Sequence, residues 1–372
     1  MTSFLDSSLW SEAQQSIPSW FPPLVAFVMG ATFGSFLNVC IHRMPRGESI
    51  VTPPSHCGHC GHAVRWHDNL PLISYLLLRG RCRDCHKSFS IRYWIVELLT
   101  AILFVAVWQR FPPAPALACA VFVCGLIAAS FIDFEHFIIP DEITIGGAVV
   151  GLLFSFAIPN LQHANGHFSS LLWSLGGALL GYGVLWMVVE AGKKFFGKKK
   201  EVFPEPTLVK LTSDGIVVGG ESEVWENLLL RSSDKVLFTG REIQCGERKW
   251  ESAGISVDWE GVRIQDELLP FENLPEISAK TGEIILPREA MGFGDVKFLA
   301  AIGAFLGPVA IFPIILISSL LGSAVGLTAI LIGRKQWGAI LPYGPYLAIA
   351  ALIWLLGGSR WFGLYLDWLA GG

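Results

Sequence analysis

Apolar positions gather into long runs at residues 24–40, 94–108, 116–132, 143–158, 171–189, 296–306, 309–332 and 341–356, separated by short polar or turn-forming links. With flanking residues, most of these approach the roughly 20 residues an α-helix needs to cross a bilayer. The pattern predicts an all-α polytopic membrane protein with about eight transmembrane helices. Two stretches break it. Residues 41–93 are polar and loop-rich, with an apolar run at 69–78 too short to cross. Residues 193–290 are charged and turn-rich, with alternating runs at 207–211, 215–218, 235–239 and 255–264 that predict a β-rich insert. Within the insert, Cys245 reads as an unpaired thiol of the core or surface, and the charges as a solvated face.

Composition supports this division. The chain has 372 residues, 52% of them hydrophobic and 16% charged, which excludes an ordinary soluble domain. The net charge of −4 says little about partners, and no basic face points to nucleic acid. The first twenty or so residues lack a basic region before a short apolar core, so no cleavable signal is expected. Where the cations fall is more informative. His42, Arg43 and Arg46 follow the first run, and Arg65, Arg79, Arg81, Arg83, Lys87 and Arg92 crowd the next segment. Lys193, Lys194, Lys198, Lys199 and Lys200 open the insert, and Arg334 and Lys335 precede the last run. The links 111–115 and 159–169 carry few cations. By the positive-inside rule the cation-rich segments are cytoplasmic and both chain ends lie outside. The expected layout is an external segment 1–23, a first span 24–40, a cytoplasmic domain 41–93, spans two to five in 94–192, the cytoplasmic insert 193–290, and spans six to eight in 291–372.

Two sets of residues suggest chemistry. In Met291-Gly292-Phe293-Gly294-Asp295-Val296-Lys297 a carboxylate sits between glycines and an apolar run. A charge at a membrane edge is costly and usually faces a polar cavity with a partner. Gly292 and Gly294 permit a sharp bend and close approach of another chain, and Asp295 is expected near a helix N-terminus, with Lys297 close by. The expected partner is Asp133, at the end of the third span, which places both carboxylates at the cytoplasmic edge. Two adjacent carboxyls can divide the work of acid and base in peptide hydrolysis. Glu135, His136, Asp141 and Glu142 are rivals for the first position; Pro140-Asp141-Glu142 looks like the capped start of the next helix. The second set is Cys57-Gly58-His59-Cys60 and Cys82-Arg83-Asp84-Cys85. Two such knuckles fit a closed tetrahedral zinc site of four thiolates, with a structural role. Disulfides or a redox pair are the alternative, and His56, His59, His62 or His86 the substitute ligands.

In order along the chain, these motifs resemble those of the type IV prepilin peptidases. Gly34-Ser35-Phe36-Leu37-Asn38-Val39 with Arg43-Met44-Pro45 resembles that family's first-span motif, and the knuckles with residues 70–85 its cytoplasmic zinc domain, which the resemblance makes 41–93 and associates with methyl transfer. Ile132-Asp133 with Ile139-Pro140-Asp141 resembles the segment of its first catalytic aspartate, and residues 291–297 that of its second. Leu341-Pro342-Tyr343-Gly344-Pro345-Tyr346 resembles its last-span motif. The resemblance implies an aspartic endopeptidase of the bacterial inner membrane that removes the basic leader of prepilins or pseudopilins at the cytoplasmic face. It also implies methylation of the new N-terminus, commonly Phe, from S-adenosylmethionine, and work beside pilus or type II secretion machinery in contact with membrane lipid. No Gly-rich loop of the Rossmann kind marks a donor site. Two features depart from the family: Trp94 stands where a proline is usual, and the insert adds roughly ninety residues before Asp295. Other classes fit the carboxylates as well. One is a proton- or cation-coupled transporter with a metal-sensing Cys module, although no second copy of either aspartate segment is seen. Another is a non-catalytic assembly protein of the pilus base.

Overall fold

The computed structural model describes residues 18–162, 164–229, 234–265, 267–287, 292–333 and 341–369. Contacts divide the chain into a helical unit, Met1–Leu185 with Phe293–Gly372, and a second unit, Trp186–Gly292.

The helical unit begins with α1 (Phe21–Arg43), started by prolines that need no helical N–H donor and stopped by a 3₁₀ turn ending in left-handed Gly47. The short apolar run becomes α2 (Ile73–Leu77). Then come α3 (Arg92–Arg110), α4 (Pro113–His136), α5 (Asp141–Ala157) and α6 (His167–Phe196). After the second unit, which contains α7 (Trp225–Leu228), the chain resumes with α8 (Phe293–Leu306), α9 (Ile311–Leu331), α10 (Gly344–Ile353) and α11 (Ser359–Leu369). Five stretches are long and apolar enough to cross a membrane: Phe21–Arg46, Arg92–Arg110, Pro113–His136, His167–Lys194 and Pro308–Leu331. Helix α5, with 17 residues, α8, with 14, and Gly344–Gly358 are apolar but shorter. The expected last span, 341–356, becomes helical at Gly344, and regular geometry breaks only past its end, at Gly357, before α11. Leu153, Leu179, Leu316 and Leu331 are each more than 60% exposed. A bundle dissolved in water would hide such side chains; hydrocarbon solvates them.

Because lipid is as apolar as leucine, the helices are held by close backbone approach and polar contacts. Gly30 and Gly34 lie one turn apart on α1, where an added Cβ would come within 2.7 Å of Ala101 Cα and 2.6 Å of Glu97 Cα on α3. Gly177 of α6 meets Gly303 of α8, and an added Cβ there would stand 2.1 Å from the Gly303 carbonyl oxygen. The free carbonyls at the end of α8 are capped from elsewhere: Gln162 Nε2 donates to Ala304 and Phe305 at 3.1 and 3.0 Å, and Ser174 Oγ to Ala304 at 2.6 Å.

The second unit is an antiparallel sheet of β1 (Lys198–Leu211), β2 (Gly215–Val218), β3 (Glu221–Val224), β4 (Val236–Cys245), β5 (Arg248–Asp258), β6 (Gly261–Ile264), β7 (Glu267–Leu269) and β8 (Ile277–Pro287). Their order across the sheet is β3-β2-β1-β8-β4-β5-β6-β7. The run 255–264, expected as one strand, is two, because the chain turns back between Asp258 and Gly261, whose φ is 141°. Val209, Ile216, Ile243, Ile255, Val262 and Ile284 share one buried core, and Cys245 belongs to it. First and last strands pair from end to end, with Lys198 opposite Pro287, so the chain enters and leaves this unit at one place.

Candidate functional site

Asp133 lies in the last turn of α4 and Asp295 in the first turn of α8, and both are buried. Helix α4 stops at Phe137, a left-handed residue whose N–H bonds the Asp133 carbonyl at 2.9 Å, and the chain doubles back through Ile139 into α5. Helix α10 starts beside it: the Gly344 N–H, a first-turn amide with no helical partner, donates to Asp133 Oδ2 at 2.9 Å. An added Cβ on Gly344 would sit 2.8 Å from that same oxygen. Tyr343, just before it, is tied to α9 by a 2.7 Å bond between its hydroxyl and Ser318 Oγ.

Ile139 joins the two aspartate segments. It lies 3.5 Å from where a Cβ on Gly294 would be, and its Cδ1 is 3.0 Å from the equivalent point on Gly344. Ends of α4, α8 and α10 thus converge. The Asp295 Oδ1 atom is buried with no hydrogen-bond partner. An acceptor left in that state is expensive, and a site that must take up a water or a proton has such a group to offer.

Two of the rival carboxylates are paired elsewhere. Asp141, 58% exposed, accepts from Lys297 Nζ at 2.7 Å, and Glu135 pairs with Arg92 at the start of α3. Lys297 Nζ, by its bond to Asp141, ties the start of α8 to the start of α5. Gly294 takes helical geometry within α8, without the sharp bend expected of it, and its missing Cβ leaves ordinary van der Waals room for Ile139. Gly292 is exposed just before α8, and Met291 lies outside the described residues. Sequence reasoning gave Gly344 and Ile139 no part in the site. The signal for Gly344 was the Gly-Pro pair opening an apolar run, a helix start with an unprotected amide.

In the knuckles, Cys57, Cys60, Cys82 and Cys85 bring their sulfurs within 4.8 Å of one another, and Cys57 Sγ is 3.8 Å from Cys85 Sγ. Tetrahedral thiolates at about 2.3 Å from a metal stand about 3.8 Å apart, so the set fits one ion. Matching turns build each half: Gly61 N–H bonds Cys57 O at 2.9 Å, and His86 N–H bonds Cys82 O at 3.0 Å. Gly61 and His86 both have φ > 0, and a bridge of residue pairs closes each turn, His56 with Ala63 and Arg81 with Ser88. Burial opposes ionisation of Cys57, but the Cys60 and His59 amides and the Cys60 and Cys82 side chains outweigh it and bring its thiol to about 7. Cys60 gains a hydrogen bond from the His62 amide, yet burial and the three neighbouring sulfurs push it up to about 12. Thiols so crowded do not all lose their protons unaided; a divalent cation bound among them would supply the missing charge. Beside them Arg83 holds the Asp68 carboxyl below the usual carboxylate range by a 2.8 Å hydrogen bond from Nε.

Comparison with known proteins agrees with this geometry. The family described as "Bacterial Peptidase A24 N-terminal domain" matches residues 28–111, and the "Type IV leader peptidase family" matches residues 120–203 and 274–327. A "Prepilin leader peptidase/N-methyltransferase" of Aeromonas hydrophila is 30% identical over 383 aligned residues, covering 95% of this chain and 98% of the relative. One of Myxococcus xanthus (strain DK1622) is 46% identical over 147 residues, 38% of this chain and 44% of its own. Another, of Burkholderia pseudomallei (strain K96243), is 27% identical over 93% of this chain and 89% of its own. No solved structure matches. With a relative 30% identical over 95% of its length, and the two family matches following one another along it, the chain belongs to the type IV leader peptidase family.

Proposed function

We propose that this chain is a bifunctional prepilin leader peptidase and N-methyltransferase of a bacterial inner membrane, with Asp133 and Asp295 as its proteolytic dyad. The observation that carries the peptidase half is the convergence of these buried carboxylates, from helices far apart in sequence, around Ile139 and Gly344. In this reading α5, α8 and α10 join the five longer helices to make about eight crossings, and the dyad opens to the cytoplasm. The substrate is a prepilin or pseudopilin whose basic leader precedes an apolar segment. One carboxylate takes a proton from a water between the two, and the water oxygen adds to the peptide carbonyl. The partner carboxylic acid protonates the leaving amine as the C–N bond breaks. The Gly344 amide holds Asp133 in orientation throughout. We assign the four-cysteine site to zinc with a structural role, since a closed set of thiolates leaves no position for water. S-adenosylmethionine, when bound, supplies the methyl group for the new N-terminus.

The test is purified protein with a prepilin, read by mass spectrometry for cleavage and for an added methyl. Asp133→Asn and Asp295→Asn should each slow cleavage at least about a hundredfold, with the protein still in the membrane and its metal content unchanged. Normal cleavage by either variant would remove that residue from the dyad.

A further inference from the structure

The last turn of α4 and the link to α5, residues 134–140, serve two sides. Ile139 is buried against both aspartate segments, whereas Phe134, Phe137 and Ile138 stay 69%, 53% and 48% exposed. Phe137 is the most telling of the three. It ends α4 in the left-handed region with a φ of 57°, a position most helices give to glycine because a Cβ is strained there. A contact between the capping side chain and the helix often offsets that strain, yet more than half of this residue lies open. Strain kept beside a reacting group without such a return points to a use.

The neighbours of these side chains are charged. Glu135, between the two phenylalanines, pairs with Arg92; exposed Asp141 pairs with Lys297; and Glu142 is exposed with no ion pair among the described residues. Charges in that number do not lie among acyl chains, so the apolar rim stands at a polar edge of the helical unit. It begins one residue from Asp133, and the Phe137 N–H sits on the Asp133 carbonyl at 2.9 Å. An apolar patch in such a place is unfavourable until something covers it. The carboxylates of Glu135, Asp141 and Glu142 outnumber the cations of Arg92 and Lys297, which leaves negative charge unmatched around it. The occupant that fits is therefore a segment with an apolar part for the rings and a basic part beside it.

We propose that Phe134, Phe137 and Ile138 form the rim that receives the prepilin at its cleavage junction, covering the first residues of its apolar segment while the unmatched acidic charge favours the basic leader before them. The inference rests on the peptidase reading above and gives these side chains a share in substrate binding and selection, none in the chemistry. The scissile bond joins the basic part to the apolar part. A substrate seated on the rim thus carries that bond to the residue next door, Asp133. Apolar contact of this kind is made equally before and during bond breaking, so it acts on KM and leaves kcat alone.

Steady-state cleavage of a prepilin by the detergent-purified full chain tests this, with Phe137→Gly, Phe137→Leu and the double variant Phe134→Ser/Phe137→Ser compared. Glycine is the residue that a φ of 57° suits best, so Phe137→Gly keeps the cap, should hold or raise the unfolding temperature, and removes only the ring. The expected result is a KM for prepilin raised about tenfold with kcat within about twofold, and most of the loss recovered in Phe137→Leu. The double variant should lose more. In nanodiscs, benzoylphenylalanine in place of Phe137 in an Asp295→Asn chain should crosslink on irradiation to the prepilin's apolar segment. An unchanged KM in Phe137→Gly and in the double variant, or adducts with lipid or a second copy of this chain alone, overturns the rim while leaving the peptidase reading in place. A wild-type chain that cleaves no prepilin overturns that reading and the rim with it.

Discussion

At Gly344 a single hydrogen atom in place of a methyl group keeps the Asp133 carboxylate where it is. The 2.8 Å separation between an added Cβ and Asp133 Oδ2 leaves no room for even alanine. Gly344→Ala should displace the carboxylate by a large fraction of an ångström, and displacement on that scale costs about a hundredfold in rate. Cleavage assays should show this loss with zinc content unchanged. Lys297 gives the opposite expectation. Its bond to Asp141 is partly exposed, and such pairs contribute about 0–1 kcal/mol. Lys297→Met should therefore change cleavage by no more than about fivefold, and a complete loss would show that its ammonium serves the dyad directly.

Among the elements, α1 and α3 depend on backbone touching backbone. Two glycines let their backbones touch, and in lipid no hydrophobic pressure would close a gap between them. Gly34→Leu should lower the unfolding temperature in detergent, with overpacking on the order of 1–3 kcal/mol. The knuckle segment depends on its ion in a different way. Chelation, or Cys57→Ser, should expose residues 55–90 to protease while the long helices persist, because the partly exposed ion pairs Arg65–Asp84 and Arg83–Asp68 that also join the two turns are weak. Metal affinity should fall as pH is lowered, since every thiol must lose its proton to bind, and metal analysis near neutral pH should return about one zinc per chain.

On the scale of the whole molecule, the insert is a separate folding problem. Its core is its own, and its first and last residues are strand neighbours, the arrangement that lets a domain be added to a host without stretching it. Replacing residues 198–287 by a short Gly/Ser linker should leave the helical unit assembled, with its zinc and its detergent melting transition. The excised segment should give a β-type circular dichroism spectrum and one cooperative transition. Loss of the helical unit's zinc on deletion would mean that the two parts fold as one.

The alternation of apolar runs and cation-rich links determined the class of protein, the two knuckles and the candidate aspartates, because these follow from local composition, spacing and the cost of charge in hydrocarbon. Strand runs in the insert were legible for the same reason, though the turn inside 255–264 was missed, where the apolar positions pass from odd (255, 257, 259) to even (262, 264) across Gly261. What no local pattern carries is which backbones touch. The amide that holds Asp133, the isoleucine between the dyad segments, and the pairing of Lys297 with Asp141 join residues far apart in sequence. Only the packing of helices, glycine against backbone, decided those contacts, because a close approach depends on the shapes of both partners at once.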